Sequence, residues 1–162
     1  MTVEATRRDG GPAVRKLVRF AVPPDWTRES QSEGSSLRVF GPSGEGSLLV
    51  AVALDIESLG RYLDDLERMH PGSVPSPPVL MDVPGVRPEL GERATRFPIA
   101  GAEVGEMVTI EKNGVIVLFA TAVAPNAWRS LAPTLERCYA AVEVFDESDG
   151  AGGKRRDALP VH

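Results

Sequence analysis

Residues 111–123 constrain the fold of this chain more than any other stretch: Glu111-Lys112-Asn113-Gly114-Val115-Ile116-Val117-Leu118-Phe119-Ala120-Thr121-Ala122-Val123. Asn-Gly between two apolar runs marks a tight hairpin, because both central residues of a type I′ turn need positive φ. The run after the turn is rich in β-branched residues and has almost no polar interruption. A strand with one wet face alternates, so an unbroken apolar run predicts a central strand covered on both faces. The rest of the chain must then supply its neighbours and its two covers.

The neighbours can be read from the alternation of side chains. Residues 103–112 (EVGEMVTIEK) form the partner arm of the hairpin, with Val104, Val108 and Ile110 in phase and Glu106 as the exception. Residues 14–22 (VRKLVRFAV) predict a first strand with Val18, Phe20 and Val22 inward. Pro23-Pro24-Asp25 ends it, since consecutive prolines cannot feed a ladder. Trp26, directly after, is expected to plug the end of the core. Residues 35–40 alternate and residues 47–54 (SLLVAVAL) are apolar on both faces. Between them lies Gly41-Pro42-Ser43-Gly44-Glu45-Gly46. A glycine-rich loop that cradles phosphate leads from a strand into a helix, and here a strand follows, so a hairpin loop is expected. Residues 79–83 and 91–99 add two more strands, the second ending, or lying at an edge, near Pro98.

Two helices are expected as the covers. In the first, capped by Asp55 or Ser58, residues Leu59, Tyr62, Leu63, Leu66 and Met69 make one apolar stripe, and Pro71-Gly72 stops it after His70. In the second, with Asn126 as N-cap, Trp128, Leu131, Leu135, Cys138, Val142 and Phe145 fall at steps of three and four. Proline is tolerated in the first helical turn, so Pro133 moves the expected start of regular helix towards Ser130. Strands cluster and helices do not alternate with them. The expected class is therefore α+β: a mostly antiparallel sheet of about six to seven strands covered by two main helices.

At 162 residues the chain is expected to form one domain, residues 14–145, between a mobile arm (1–13) and a disordered acidic and glycine-rich tail (146–162). The net charge of −5 argues against the broad basic face that nucleic-acid binding needs. No apolar run follows the arginines near Met1, and no stretch has the run of about 18 apolar residues that a membrane-spanning helix needs, so a cytoplasmic location without membrane insertion is expected.

Candidate chemistry is sparse. Cys138 is the one cysteine, which leaves no intrachain disulfide and no multi-cysteine zinc site, and its place on an apolar stripe reads as a buried structural thiol. The only histidines are His70 and His162. His70 sits comfortably near a helix C-terminus without any metal. Asp64 and Asp65 are adjacent on a helix and point about 100° apart, so i,i+4 pairing of Glu57 with Arg61 and of Asp64 with Arg68 explains them. Asp25, Asp55, Asp64, Asp82 and Glu106 are the candidate acids. Glu106 stands out because it breaks an apolar phase: a carboxylate in a pocket can act as acid or base, and an edge position or an ion pair with Arg93 or Arg96 accounts for it at least as well. Lys154-Arg155-Arg156 in the tail reads as solvated, with contact to an anionic partner as the alternative. No catalytic, cofactor-binding or metal-binding set is expected.

Three features together resemble the Mog1/PsbP/DcrB-like superfamily. They are the opening Phe20-Ala21-Val22-Pro23-Pro24-Asp25-Trp26, the hairpin Asn113-Gly114-Val115 with its long apolar strand, and Ala124-Pro125-Asn126-Ala127-Trp128-Arg129-Ser130-Leu131 leading into a terminal helix. The resemblance spans roughly residues 17–145 and implies an αβα sandwich without catalysis. Its branches include the Ran-binding Mog1 proteins, the photosystem accessory PsbP proteins and DcrB-like chaperones that hold transmembrane segments of secreted effectors. A lipoprotein branch also exists, but its export signal and lipidated cysteine are not seen in this chain. No branch-specific motif is present, so no functional residue carries over. The function expected is a non-catalytic, cytoplasmic protein-binding, chaperone or adaptor module. It would engage another protein, such as an apolar segment of a secreted or membrane protein, through a sheet face or edge. The alternatives are a carrier of a small apolar ligand and a hydrolase-type enzyme using carboxylates.

Overall fold

The run after Asn113-Gly114 forms strand β10 (Val115–Val123), and every residue of it except Ile116 is buried. It pairs antiparallel with β9 (Val104–Lys112) on one side and with β5 (Gly46–Ala53) on the other. Asn113 and Gly114 have φ of 48° and 77°, the two left-handed residues of a type I′ turn. The structure is a computed structural model and describes residues 2–7, 14–28, 36–44, 46–55, 57, 60, 64, 74–75 and 77–146.

Around this centre an eight-strand antiparallel sheet is built, seven of its strands in one path. The remaining members of that path are β3 (Thr27–Arg28), β4 (Ser36–Phe40), β6 (Val74–Pro75) and β8 (Arg93–Ala100). The spatial order is β3-β4-β5-β10-β9-β8-β6, and β7 (Val79–Met81) pairs with β8 off that path. A second sheet has the order β1-β2-β11, with β1 at Thr2–Arg7, β2 at Val14–Arg19 and β11 at Glu143–Asp146. One helix, α1 (Pro125–Ala140), follows β10.

Both the second sheet and α1 pack on one face of the large sheet. Phe119 lies at the junction, its ring edge-on to Phe20, the residue after β2, at 6.4 Å and to Tyr139 of α1 at 5.1 Å. Val18, Val50, Val52, Val117, Leu135 and Cys138 complete this core. Each fully buried large apolar side chain contributes about 1.5–3 kcal/mol, so these residues hold the layers together without any disulfide. On the other face Ala51, Ala53 and Leu118 are buried, with Met107 and Ile116 packed against them. The expected inward set Val18, Phe20 and Val22 is observed, Val22 partly buried. Gly41-to-Gly46 is a hairpin connection, closed by Gly41 N–H donating to the Gly46 carbonyl at 2.9 Å. At Gly105 of β9, an added Cβ would stand 2.0 Å from the Thr121 carbonyl oxygen, so only glycine lets β10 approach this closely.

Several expectations are corrected. The stretch 1–13, read as a mobile arm, contains β1, paired in register from Thr2 with Arg19 to Arg7 with Val14. A polar strand of this kind is specified by its neighbour rather than by its own apolar pattern. The helical stripe read through Val142 and Phe145 stops at Ala140. The residues beyond turn back as β11, where Asp146 ion-pairs with Lys16 and Glu143 with Arg19 directly across the ladder. The Arg19 guanidinium also stands 5.5 Å from the Phe145 ring. Cross-strand charge pairs and an aromatic contact favour the sheet over one more helical turn. Asp146 is thus part of a strand rather than of the tail.

Helix α1 starts at Pro125, with Ala124 at the cap and no side-chain capping bond, so Asn126 lies inside the first turn. Pro125 suits the first position because its missing N–H would have no helical partner there. Pro133 is inside the helix rather than at its start. It offers no N–H to the Arg129 carbonyl, and both residues lie on the exposed side of the helix. The other expected helix, residues 58–70, lies outside the described residues apart from Gly60 and Asp64, which with Glu57 are helical. The expected tail from residue 147 onward also lies outside them.

Candidate functional site

Glu106, the acid that breaks the phase of β9, is 5% exposed. Register places it opposite Thr121 on β10 and Pro98 on β8. Its Oε2 accepts a hydrogen bond from the Tyr139 hydroxyl at 2.5 Å. Its Oε1 lies 2.7 Å from Arg96 Nε, an ion pair whose N–H is not aligned as a hydrogen bond. The other arm of the Arg96 guanidinium pairs with Glu136 of α1. Of the two expected partners, Arg96 takes Glu106, while Arg93 pairs with Glu111, directly opposite it at the far end of the same ladder.

The electrostatics of this cluster are those of a clamp. Burial works against the Arg96 cation, but the Glu106 and Glu136 carboxylates outweigh it and hold its pKa above the ordinary value. Burial, then the charge of Glu106, pushes the Tyr139 phenol well above its ordinary range, so it stays a hydrogen-bond donor. Both oxygens of Glu106 are engaged with protein groups, and α1 is fastened to β8 and β9 by one charged chain: Tyr139, Glu106, Arg96, Glu136. Thr121, beside Glu106 in register, has a buried hydroxyl oxygen without a hydrogen-bond partner among the described residues.

Cys138 is buried in the core, and burial pushes its thiol up to about 11, opposed by the charge of Arg137. Such a thiol is protonated at neutral pH and is a poor nucleophile. The remaining candidates do not gather around Glu106. Asp25, Asp64 and Asp82 are exposed and Asp55 is half-buried. His70, His162 and Lys154-Arg155-Arg156 lie outside the described residues. Among the described residues no three His, Cys, Asp or Glu side chains are placed to hold a metal ion. No described helix is long and apolar enough to cross a membrane.

Trp26 packs partly buried against the core, as its position after Pro24 suggested. It lines a small groove of about 140 Å³ together with Pro23, Val123 and Leu131. The turn before it carries Asp25 at φ 71°, with the Trp26 N–H 3.4 Å from the Pro23 carbonyl. Proline followed by a positive-φ residue is the type II arrangement.

A larger cleft, about 400 Å³, opens beside the Asn113-Gly114 turn, lined by Leu54, Leu90, Glu92, Glu111 and Ile116 among others. Glu92 builds its wall: its carboxylate accepts from the Arg87 N–H at 3.0 Å and from the Asn113 N–H at 3.2 Å. Nearby, large apolar side chains face solvent. Val79 is 57% exposed and Leu80 72%, both on β7, and Leu90 is 65% exposed just ahead of the Met81–Ala94 rung. Opposite Thr95 in register, Leu80 points to the sheet face away from Arg96 and α1.

No family model matches the sequence. No curated protein matches it either. Among solved structures, cyanobacterial PsbP (CyanoP) from Synechocystis sp. PCC 6803 superposes with a TM-score of 0.51 at 12% identity, over 80% of this chain and 86% of that one. The chain has the PsbP-like fold. A protein of unknown function from Pseudomonas aeruginosa, PA94, aligns over 85% of this chain and 94% of its own at 13% identity, with a TM-score of 0.43.

Within the PsbP-like fold, sequence reasoning found Glu106 and narrowed its partner to Arg93 or Arg96, but missed the groups that complete the clamp. Tyr139 was legible, since it falls four residues after Leu135 on the same helix face. Glu136 and Glu92 carry no sequence mark. Nor does the exposure of Val79, Leu80 and Leu90, because apolar residues in short strands read as core.

Proposed function

We propose that this chain is a non-catalytic protein-binding module of adaptor or chaperone type, engaging its partner at the β7 corner of the sheet. The observation that carries the reading is the exposure of Val79 and Leu80 on β7 and of Leu90 just before β8, the most exposed of the large apolar side chains among the described residues, ahead of Phe40 on β4. Val79 lies opposite Arg96 and Leu80 opposite Thr95, so β7 offers an apolar side chain on each sheet face, and exposed apolar side chains at an edge are a feature of docking surfaces. Among the described residues β7 pairs with β8 alone, so its outer edge retains backbone donors and acceptors for a partner strand. Pro77, Pro78 and Pro84 bound that edge, which limits strand addition to a few residues and leaves side-chain packing as the larger contribution. The engagement of both Glu106 oxygens within the clamp supports a structural rather than a catalytic part for that acid.

The test is site-directed photo-crosslinking in the cells that make the protein. A benzophenone amino acid is placed at position 80 or 90, with position 129 on the exposed side of α1 as control. Discrete adducts from 80 and 90, absent from 129, are expected. Adducts from all three positions alike, or from none, would sink the reading.

A further inference from the structure

The cleft beside the Asn113-Gly114 turn has a charge pattern that specifies what enters it. Three ionisable side chains contribute to its lining, and two of them are neutralised or turned away. Glu111 is ion-paired with Arg93. Lys112 donates to the Val142 carbonyl at 3.2 Å, which draws its ammonium towards the α1 side of the sheet. Glu92 differs: its partners are two backbone N–H groups, which fix the carboxylate without cancelling its charge, and among the described residues it makes no ion pair. Leu54, Leu90 and Ile116 give the same cleft an apolar surface, with Leu90 largely exposed at its lip. A fixed, uncompensated carboxylate beside exposed aliphatic surface is complementary to a cationic side chain flanked by aliphatic ones.

We infer that this cleft takes an extended segment of the partner protein in which a Lys or Arg stands next to an aliphatic residue. The cation lies over the Glu92 carboxylate, and the aliphatic side chain packs on Leu54, Leu90 and Ile116. The inference rests on the protein-binding reading and names the chemistry of the partner segment. It gives that reading a specificity element, since the apolar corner at β7 does not by itself distinguish one aliphatic sequence from another. The volume of about 400 Å³ suits two or three side chains rather than a folded domain.

The experiment uses the full chain, labelled with nitrogen-15, and two blocked pentapeptides, Ser-Leu-Lys-Leu-Ser and Ser-Leu-Glu-Leu-Ser. Titration of the first should move the Gly91, Asn113 and Gly114 amide signals, with affinity about fivefold above that of the second, the upper end for a partly exposed charge pair. Glu92→Gln should abolish the difference between the peptides. Leu90→Ser, at an exposed position that leaves the fold intact, should weaken both alike. A preference for the lysine peptide that survives Glu92→Gln would reflect only the overall negative charge and would overturn the inference. Shifts confined to Val79 and Leu80, equal for both peptides, would overturn it too while leaving the β7 docking surface standing. No shifts at all with either peptide would also overturn it, and the crosslinking result from positions 80 and 90 then decides the wider reading separately.

Discussion

Replacing Tyr139 by Phe isolates the hydroxyl of the clamp. The ring is 1% exposed and its edge contact with Phe119 at 5.1 Å is kept by phenylalanine. What disappears is one hydrogen bond to a buried carboxylate, leaving Glu106 Oε2 without its donor. Bonds to charged groups contribute about 1.5–3 kcal/mol, and burial of the orphaned oxygen places this case towards the upper half. With a urea slope of about 2 kcal/mol/M, the unfolding midpoint should fall by about 1 M with the slope unchanged. The charge can be tested in the same assay. In a Glu106→Gln background the acceptor is neutral, so Tyr139→Phe should cost about 1 kcal/mol less than in the parent. An unchanged midpoint, or an equal cost in both backgrounds, would refute the clamp as a charge-assisted bond.

Three further outcomes are expected. Gly105→Ala drives a methyl group to 2.0 Å from the Thr121 carbonyl and should cost about 3 kcal/mol, the upper end for overpacking, read by thermal melting; a near-parental melting point would mean that β9 and β10 separate easily there. Asp25→Gly relieves a left-handed residue at φ 71° and should raise stability by about 0.5–1 kcal/mol; a loss would reveal a side-chain role for Asp25. The Cys138 thiol, lifted by burial from 9.0 to about 11, is neutral in the folded state while the unfolded thiol ionises, so its contribution to stability is complete below pH 9 and is lost as pH rises towards 11. Between pH 9 and 10 that loss approaches about 1 kcal/mol, and Cys138→Ala should flatten the slope of stability against pH there; an identical slope in the variant would show that the thiol is not the group responsible.

The parts of the fold that were legible are those where neighbours in sequence decide. Asn113-Gly114 dictates its own turn, and the apolar run of β10 needs two covered faces whatever covers them. The Glu106–Arg96 pair was legible in outline, because a charge on an apolar strand needs a partner and few cations lie within reach. The parts that were not legible depend on distant residues. β1 has no apolar pattern of its own and exists because β2 offers a ladder. The apolar spacing of Cys138, Val142 and Phe145 fits a helix, yet β2 presents Lys16 and Arg19 to Asp146 and Glu143, and the ladder wins. Pro133 inside α1 shows the converse: packing of Leu135, Cys138 and Tyr139 outweighs one lost backbone bond at an exposed turn. The cleft wall formed by Glu92 depends on Asn113, far along the chain, so nothing near Glu92 in sequence announces it.

Strand β2 also sets a schedule for the molecule. One of its neighbours, β1, is made before it, whereas the other, β11, ends at Asp146, whose partner Lys16 was synthesised 130 residues earlier. A hairpin of β1 and β2 can form early but must wait, with one edge open, until almost every other described element has left the ribosome. Pairing across such a separation closes late, because the loop entropy has to be met before the contacts reward it. In the interval the apolar residues Val18 and Phe20 lack their final covers. The last few residues of the described chain thus act as a latch, and losing them should expose the first strands to aggregation even though α1 and every described strand of the large sheet had been translated.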